Sequence, residues 1–163
     1  MSMTPSTHER SMDSTQLDVD WDAVGTVGHS QLADLLRTFG GFLPVPLEAV
    51  FDVDEYATKL LDRAEIGLVF DGDAICGVVT MYANDPVTRY AHVTVLAVRP
   101  ESRGRGIGRA LLRAAMARAK ALGMTTLGLD VDDGNDPALA LYAWAGLKVR
   151  ETNDQKSRMV VDL

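Results

Sequence analysis

The sequence predicts an α/β fold: a mixed sheet with helices packed against it. Three observations point there. Apolar residues recur at helical spacing in two leading segments, His29–Phe39 and Asp54–Ala64. Three strand-like runs follow without a helix between them, and the chain then alternates helix, strand, helix and two strands. Its 163 residues, 47% apolar and 24% charged, match an ordinary globular composition and are enough to bury one core.

Residues 1–15 are rich in Ser, Thr and charge, with too few apolar side chains to fold, so a disordered tail is expected. With no apolar h-region they do not read as a signal peptide. Residues 16–163 are expected to form a single domain, with Gln16–Trp21 as the candidate first strand. In the first helix Leu32, Leu35, Leu36 and Phe39 share a face. Gly40–Pro46 is a loop, and the second helix turns Tyr56, Ala57, Leu60, Leu61 and Ala64 to one side. Ile66–Phe70 and Ala74–Tyr82 are strands joined by the hairpin signal Asp71-Gly72-Asp73. Asn84-Asp85-Pro86 turns into the strand His92–Val98, which Arg99-Pro100 ends. A helix from Ile107 to about Leu122 is closed by Gly123, and Thr125–Val131 is the next strand. A helix starting near Asp136 precedes strands at Leu147–Glu151 and Arg158–Asp162, with a polar loop at Asn153–Lys156.

The chemistry concentrates at Arg103-Gly104-Arg105-Gly106-Ile107-Gly108, between a strand and a helix. A glycine loop that opens a helix aims backbone N–H groups and the positive helix end at one point, which suits a pyrophosphate. The loop is not a Walker A motif, because no Gly-Lys dipeptide occurs. Nor is it the dinucleotide fingerprint: in its two registers the third glycine position is Arg109 or Leu111. What fits is R-x-x-G-x-G at Arg103, Gly106 and Gly108. A second cluster follows the next strand, with Asn135, Ala138, Leu141 and Tyr142, then Gly146-Leu147.

These two motifs, in this order and joined by a strand, resemble the GNAT superfamily of N-acetyltransferases. Its coenzyme A loop reads Q/R-x-x-G-x-G/A, and its later signature reads Asn-x-x-Ala-x-x-Leu-Tyr before Gly-Phe. The resemblance covers Ile66 to the end; Leu147 replaces the usual Phe, an apolar exchange. It implies a mostly antiparallel mixed sheet flanked by about four helices and splayed at its fourth strand. It also implies acetyl-CoA as cofactor, held by Arg103, Gly104, Arg105, Gly106, Ile107, Gly108, Arg109 and Asn135. The family's bulged fourth strand offers backbone groups to the pantetheine arm, here those of Leu96, Ala97 and Val98. Leu96 N–H is then the oxyanion donor, and Tyr142 matches the tyrosine aimed at the CoA sulfur. In several members a carboxylate stands four residues before the oxyanion donor; His92 holds that place, and its ordinary pKa of about 6.5 suits a base. Other members use ordered water. Thr94 shares a face with His92 by strand alternation, so the two can hold a water between them.

Plainer readings stand beside these. Tyr142 can be a core residue of an amphipathic helix, and Asn135 an N-cap. Arg103, Arg105 and Arg109 can be a solvated charged face opposite the apolar stripe of Leu111, Leu112, Ala115, Met116, Ala119 and Leu122, with Arg113 and Lys120 simply facing solvent. Cys76, the only cysteine, sits in an apolar run and reads as a buried thiol; a cytoplasmic location is the default.

The net charge of −7 and the lack of a long basic run argue against nucleic acid, and no run reaches membrane-spanning length. The partners expected are acetyl-CoA and a small amine, with a homodimer left open. The resemblance implies an acceptor pocket built mainly from the first two helices, their loop and the loop between the last strands. Here those are Phe39–Pro46 with Phe42, Tyr56 and Asn153–Lys156, and His92 is a further substrate-binding candidate. A faint likeness to members from polysaccharide loci suggests an amino sugar. The alternatives are protein or peptide N-acetylation and a non-catalytic acyl-CoA sensor.

Overall fold

A computed structural model describes residues 17–26, 28–40, 49 and 52–163. The expected tail and Phe42 lie outside them. Two helices lead: α1, His29–Gly40, and α2, Val53–Arg63. Asp52 caps α2 by accepting the N–H groups of Asp54 and Glu55, which anions at a helix start do well. Val53, Ala57 and Leu60 are buried, while Leu61 turns outward. Strands β1, Glu65–Asp71, and β2, Ala74–Tyr82, form the expected hairpin, with Gly72 at φ +63°. Then come β3, Tyr90–Val98; α3, Ile107–Ala121; β4, Thr126–Asp132; α4, Asp136–Trp144; β5, Lys148–Asn153; and β6, Lys156–Asp162.

Among the described residues the six strands form one sheet in the order β1-β2-β3-β4-β6-β5. Every pairing is antiparallel except β3 with β4. That parallel contact joins only Tyr90, Ala91 and His92 to Thr126, Leu127 and Gly128. Beyond His92 the two strands part, so the sheet opens into a cleft.

The expected first strand is reduced to one bridge, Asp20 with Leu68. Asp20 Oδ1 accepts the N–H groups of Asp22 and Ala23 and turns the chain into a short 3₁₀ helix, so pairing stops after one residue. Leu17, Val19 and Trp21 still pack on the core.

Helices cover both faces. One core lies between the sheet and α3 and α4; it takes Ala91 and Val93 from β3. The other lies under α1 and α2 and takes Val95 and Ala97. Residues spaced by two should share a face, so the strand changes faces between Val93 and Val95. The cause is a bulge. Met81 pairs with Val93 and Thr80 with Val95, which leaves Thr94 as an extra residue.

Candidate active site

A cavity of about 950 Å³ runs through the open part of the sheet. One end is built by the glycine loop. Gly104 and Gly106 have φ of +82° and +80°, a conformation that glycine adopts without strain, and a Cβ on either would meet no atom within 4 Å. Gly106 also opens α3 with no side-chain cap, whereas α2 and α4 are capped by Asp52 and Asn135. The first N–H to close the α3 ladder is that of Ala110, onto the Gly106 carbonyl. The N–H groups of Ile107, Gly108 and Arg109 precede it, unspent on the ladder and at the positive end of the helix.

The middle is β3. Arg99 N–H donates to the Cys76 carbonyl of the β2 edge at 2.9 Å. Alternation along the antiparallel ladder then turns Ala97 toward β2 and the N–H and C=O of Leu96 and Val98 away from it, into the cleft. The Val98 carbonyl accepts from Arg103 Nε at 3.4 Å, which ties the loop back to the strand.

Tyr142, buried on α4, lines the same space. Burial raises its pKa, so the phenol keeps its proton at neutral pH. Asn135 is an N-cap, its side chain accepting the Ala138 N–H at 3.3 Å, and it also lines the cavity.

At the other end His92, Thr94, Tyr56, Lys59, Tyr82 and Asp130 come together. His92 is lowered from its ordinary pKa mainly by burial; Asp130 opposes that shift and Arg158 adds to it. Arg158 grips Asp130 from two nitrogens, at 2.9 and 3.3 Å, and holds that carboxylate below its ordinary range. The imidazole therefore stays neutral near pH 7. Its ring stacks on Tyr90, with centroids 6.1 Å apart. Thr94 Oγ1 lies 2.6 Å from Thr80 Oγ1, and the Tyr56 hydroxyl joins this pair.

Not every expected residue arrives. Arg105 turns away to Asp71, at 3.3 Å, and does not line the cavity; a carboxylate across the β1–β2 turn is its nearer anion. Arg109 does line it, and with Arg113 it stacks on Trp144, so neither is a plain solvated charge. Cys76 is buried, its thiol donating to the Val69 carbonyl at 3.4 Å, away from the cavity. Asp130, Lys59 and Tyr82 are additions. Asp130 had a signal, a charge in step between the apolar Leu129 and Val131. Lys59 follows Tyr56 by three residues on α2, a helical step that places it on the same side, and Tyr82 had none without strand register. Among the described residues no cluster of metal-ligating side chains occurs, and no helix is long and apolar enough to cross a membrane.

Known proteins share this architecture. The sequence profile described as "Acetyltransferase (GNAT) family" matches residues 31–147. Mycothiol acetyltransferase of Streptomyces bingchenggensis is 38% identical over 65 residues, 40% of this chain and 21% of that protein. The uncharacterized N-acetyltransferase YvbK of Bacillus subtilis is 29% identical over 98 residues, 60% of this chain and 59% of its own length. The chain thus matches less than two thirds of either relative. A solved structure, the PaiA N-acetyltransferase of Thermoplasma acidophilum in complex with coenzyme A, shares the fold. Its TM-score is 0.69 at 16% identity, over 91% of this chain and 100% of that one.

Proposed function

The chain belongs to the GNAT acetyltransferase family, and from that premise we propose that it moves an acetyl group from acetyl-CoA to a primary amine of a small molecule. Transfer is direct, with both substrates bound. The observation that carries this reading is the cleft itself: unpaired strand backbone, an uncapped helix end and a buried phenol face one continuous cavity.

The residues present fit the cofactor. The glycines leave open space where a Cβ would stand, and the N–H groups of Ile107, Gly108 and Arg109 with Arg103 suit its pyrophosphate. Leu96 and Val98 offer the backbone pairing an extended pantetheine arm needs. When bound, acetyl-CoA supplies an activated acyl thioester. The rest is the chain's work. Leu96 N–H donates to the acyl oxygen as charge builds there, a contact worth roughly 10²–10³ in rate elsewhere. His92, neutral, accepts the proton the amine loses, directly or through water held with Thr94. Tyr142 Oη donates to the sulfur as the C–S bond breaks and the N–C bond forms. With a phenol near 10 and a thiol near about 8.5, full proton transfer is uphill, and burial widens the gap. Tyr142 therefore acts through a strengthening hydrogen bond.

The acceptor class we favour is an amino sugar. Two phenol rings, Tyr56 and Tyr82, and the Thr94 hydroxyl line that end, which suits a ring carrying hydroxyl groups. The test is incubation of the purified protein with acetyl-CoA and a panel of amino sugars, amino acids, polyamines and peptides, following free thiol and product mass. Thiol release with an amino sugar is expected. Turnover confined to peptides would replace the acceptor class. Tight CoA binding with no turnover on any amine would mark a sensor.

A further inference from the structure

Two guanidinium groups one turn apart on α3, those of Arg109 and Arg113, lie over the same indole. Their Cζ atoms are 4.4 and 4.5 Å from the Trp144 ring on α4. Arg37, Arg105, Arg118 and Arg158 are all ion-paired. Arg109 and Arg113 have no carboxylate partner among the described residues, in a chain with 23 acidic side chains. Like charges four residues apart on a helix repel. The indole face offsets part of that repulsion and holds both groups in place, but it neutralises neither.

Position gives the pair a use. Arg109 lines the cavity beside the uncapped end of α3, and Arg113 continues the line one turn further along the helix. A coenzyme whose pyrophosphate rests on that helix end sends its pantetheine arm toward the cleft in the sheet. Its nucleotide must leave on the other side, and the nucleotide carries a phosphate monoester of about −2 charge. A stacked guanidinium keeps its N–H edge free to donate to phosphate oxygens in pairs.

We propose that Arg109, Arg113 and Trp144 form an anion subsite for the ribose 3′-phosphate of coenzyme A, with Trp144 as the positioning residue. The proposal rests on the cofactor reading above. Its test separates the two by titrating the full chain calorimetrically with coenzyme A and with 3′-dephospho-coenzyme A.

Wild type should prefer coenzyme A by about ten- to a hundredfold, the range of a charged hydrogen-bonded contact. The double variant R109Q/R113Q should lose most of that preference. Trp144→Leu should cut it about tenfold, while Trp144→Phe, which keeps an aromatic face, should retain most of it. Affinity for the dephospho form should change little in the two Trp144 variants, which also reports that the fold and the glycine loop are intact. Equal wild-type affinity for the two ligands would overturn the subsite. So would an unchanged preference in both the double variant and Trp144→Leu. Failure of the wild type to bind either ligand is a different result: it removes the cofactor reading, and the subsite with it.

Discussion

Tyr142 and His92 face one cavity, and in the proposed transfer they have opposite protonic duties for which burial prepares both. It raises the phenol and lowers the imidazole, so near neutral pH one holds a proton to donate and the other has room to accept. Tyr142→Phe should lower kcat by roughly 10–10³-fold with coenzyme affinity nearly unchanged, because only a bond that strengthens during the reaction is lost. Steady-state kinetics beside calorimetry check this; an equally active Phe variant would make Tyr142 a packing residue. For His92 the sign is fixed by its environment. Its pKa in the folded chain lies below about 6.5, so kcat/KM should rise with pH through a limb in the acid range. His92→Ala should slow the reaction and remove that limb on one acceptor of low pKa. Identical profiles for the two proteins would hand the proton to ordered water. These residues were legible from the sequence in unequal degree. Tyr142 and Asn135 were marked by the family resemblance, since spacing alone reads them as a core tyrosine and an N-cap, whereas Gly106 stands in a loop where residue type itself is telling. Arg109 was not legible as a stacked group, because its ring partner is 35 positions away and a basic helix face ordinarily means solvent.

The element that decides whether there is a site at all is β3. One extra residue, Thr94, moves Val95 and Ala97 to the α1–α2 core while Ala91 and Val93 stay on the other. Deleting Thr94 would force the strand back into simple alternation, and one half would present its buried residues to the wrong face. The loss should be roughly 3 kcal/mol or more, from misplaced apolar burial, and urea unfolding reads it directly. Thr94→Ala keeps the extra residue and loses the hydroxyl contacts with Thr80 and Tyr56; it should cost about 1 kcal/mol. Equal stability of the two variants would show that the bulge does not set the register. The strands themselves were visible in the sequence because their apolar runs are bounded by turn residues. The bulge was expected only through resemblance to a family, since an inserted residue has no signature until a partner strand gives the register. The first strand failed for a local reason: Leu17, Val19 and Trp21 alternate as a strand should, but the Asp20 side chain competes for the next backbone N–H groups.

Over the whole molecule, charge is divided unevenly. Seven of the 16 basic residues lie between Arg99 and Lys120, against a single acid, Glu101, in a chain of net charge −7. A polyanionic coenzyme is therefore repelled by most of the surface and drawn to the loop and α3. Its affinity should weaken roughly tenfold as salt rises from about 0.05 to 0.5 M, as screening shortens the reach of that field. Calorimetry over a salt series checks this, and a flat response would mean that backbone donors alone hold the ligand. The burial of the single cysteine has a consequence of another kind. Cys76 is 2% exposed, its proton is shared with a carbonyl, and burial raises its pKa, so little thiolate exists to attack an electrophile. The folded protein is thus nearly invisible to an aromatic disulfide reagent, while coenzyme released by the proposed transfer would react at once. Every equivalent of colour that develops counts product, with no correction for catalyst, and unfolding announces itself as one extra equivalent per chain.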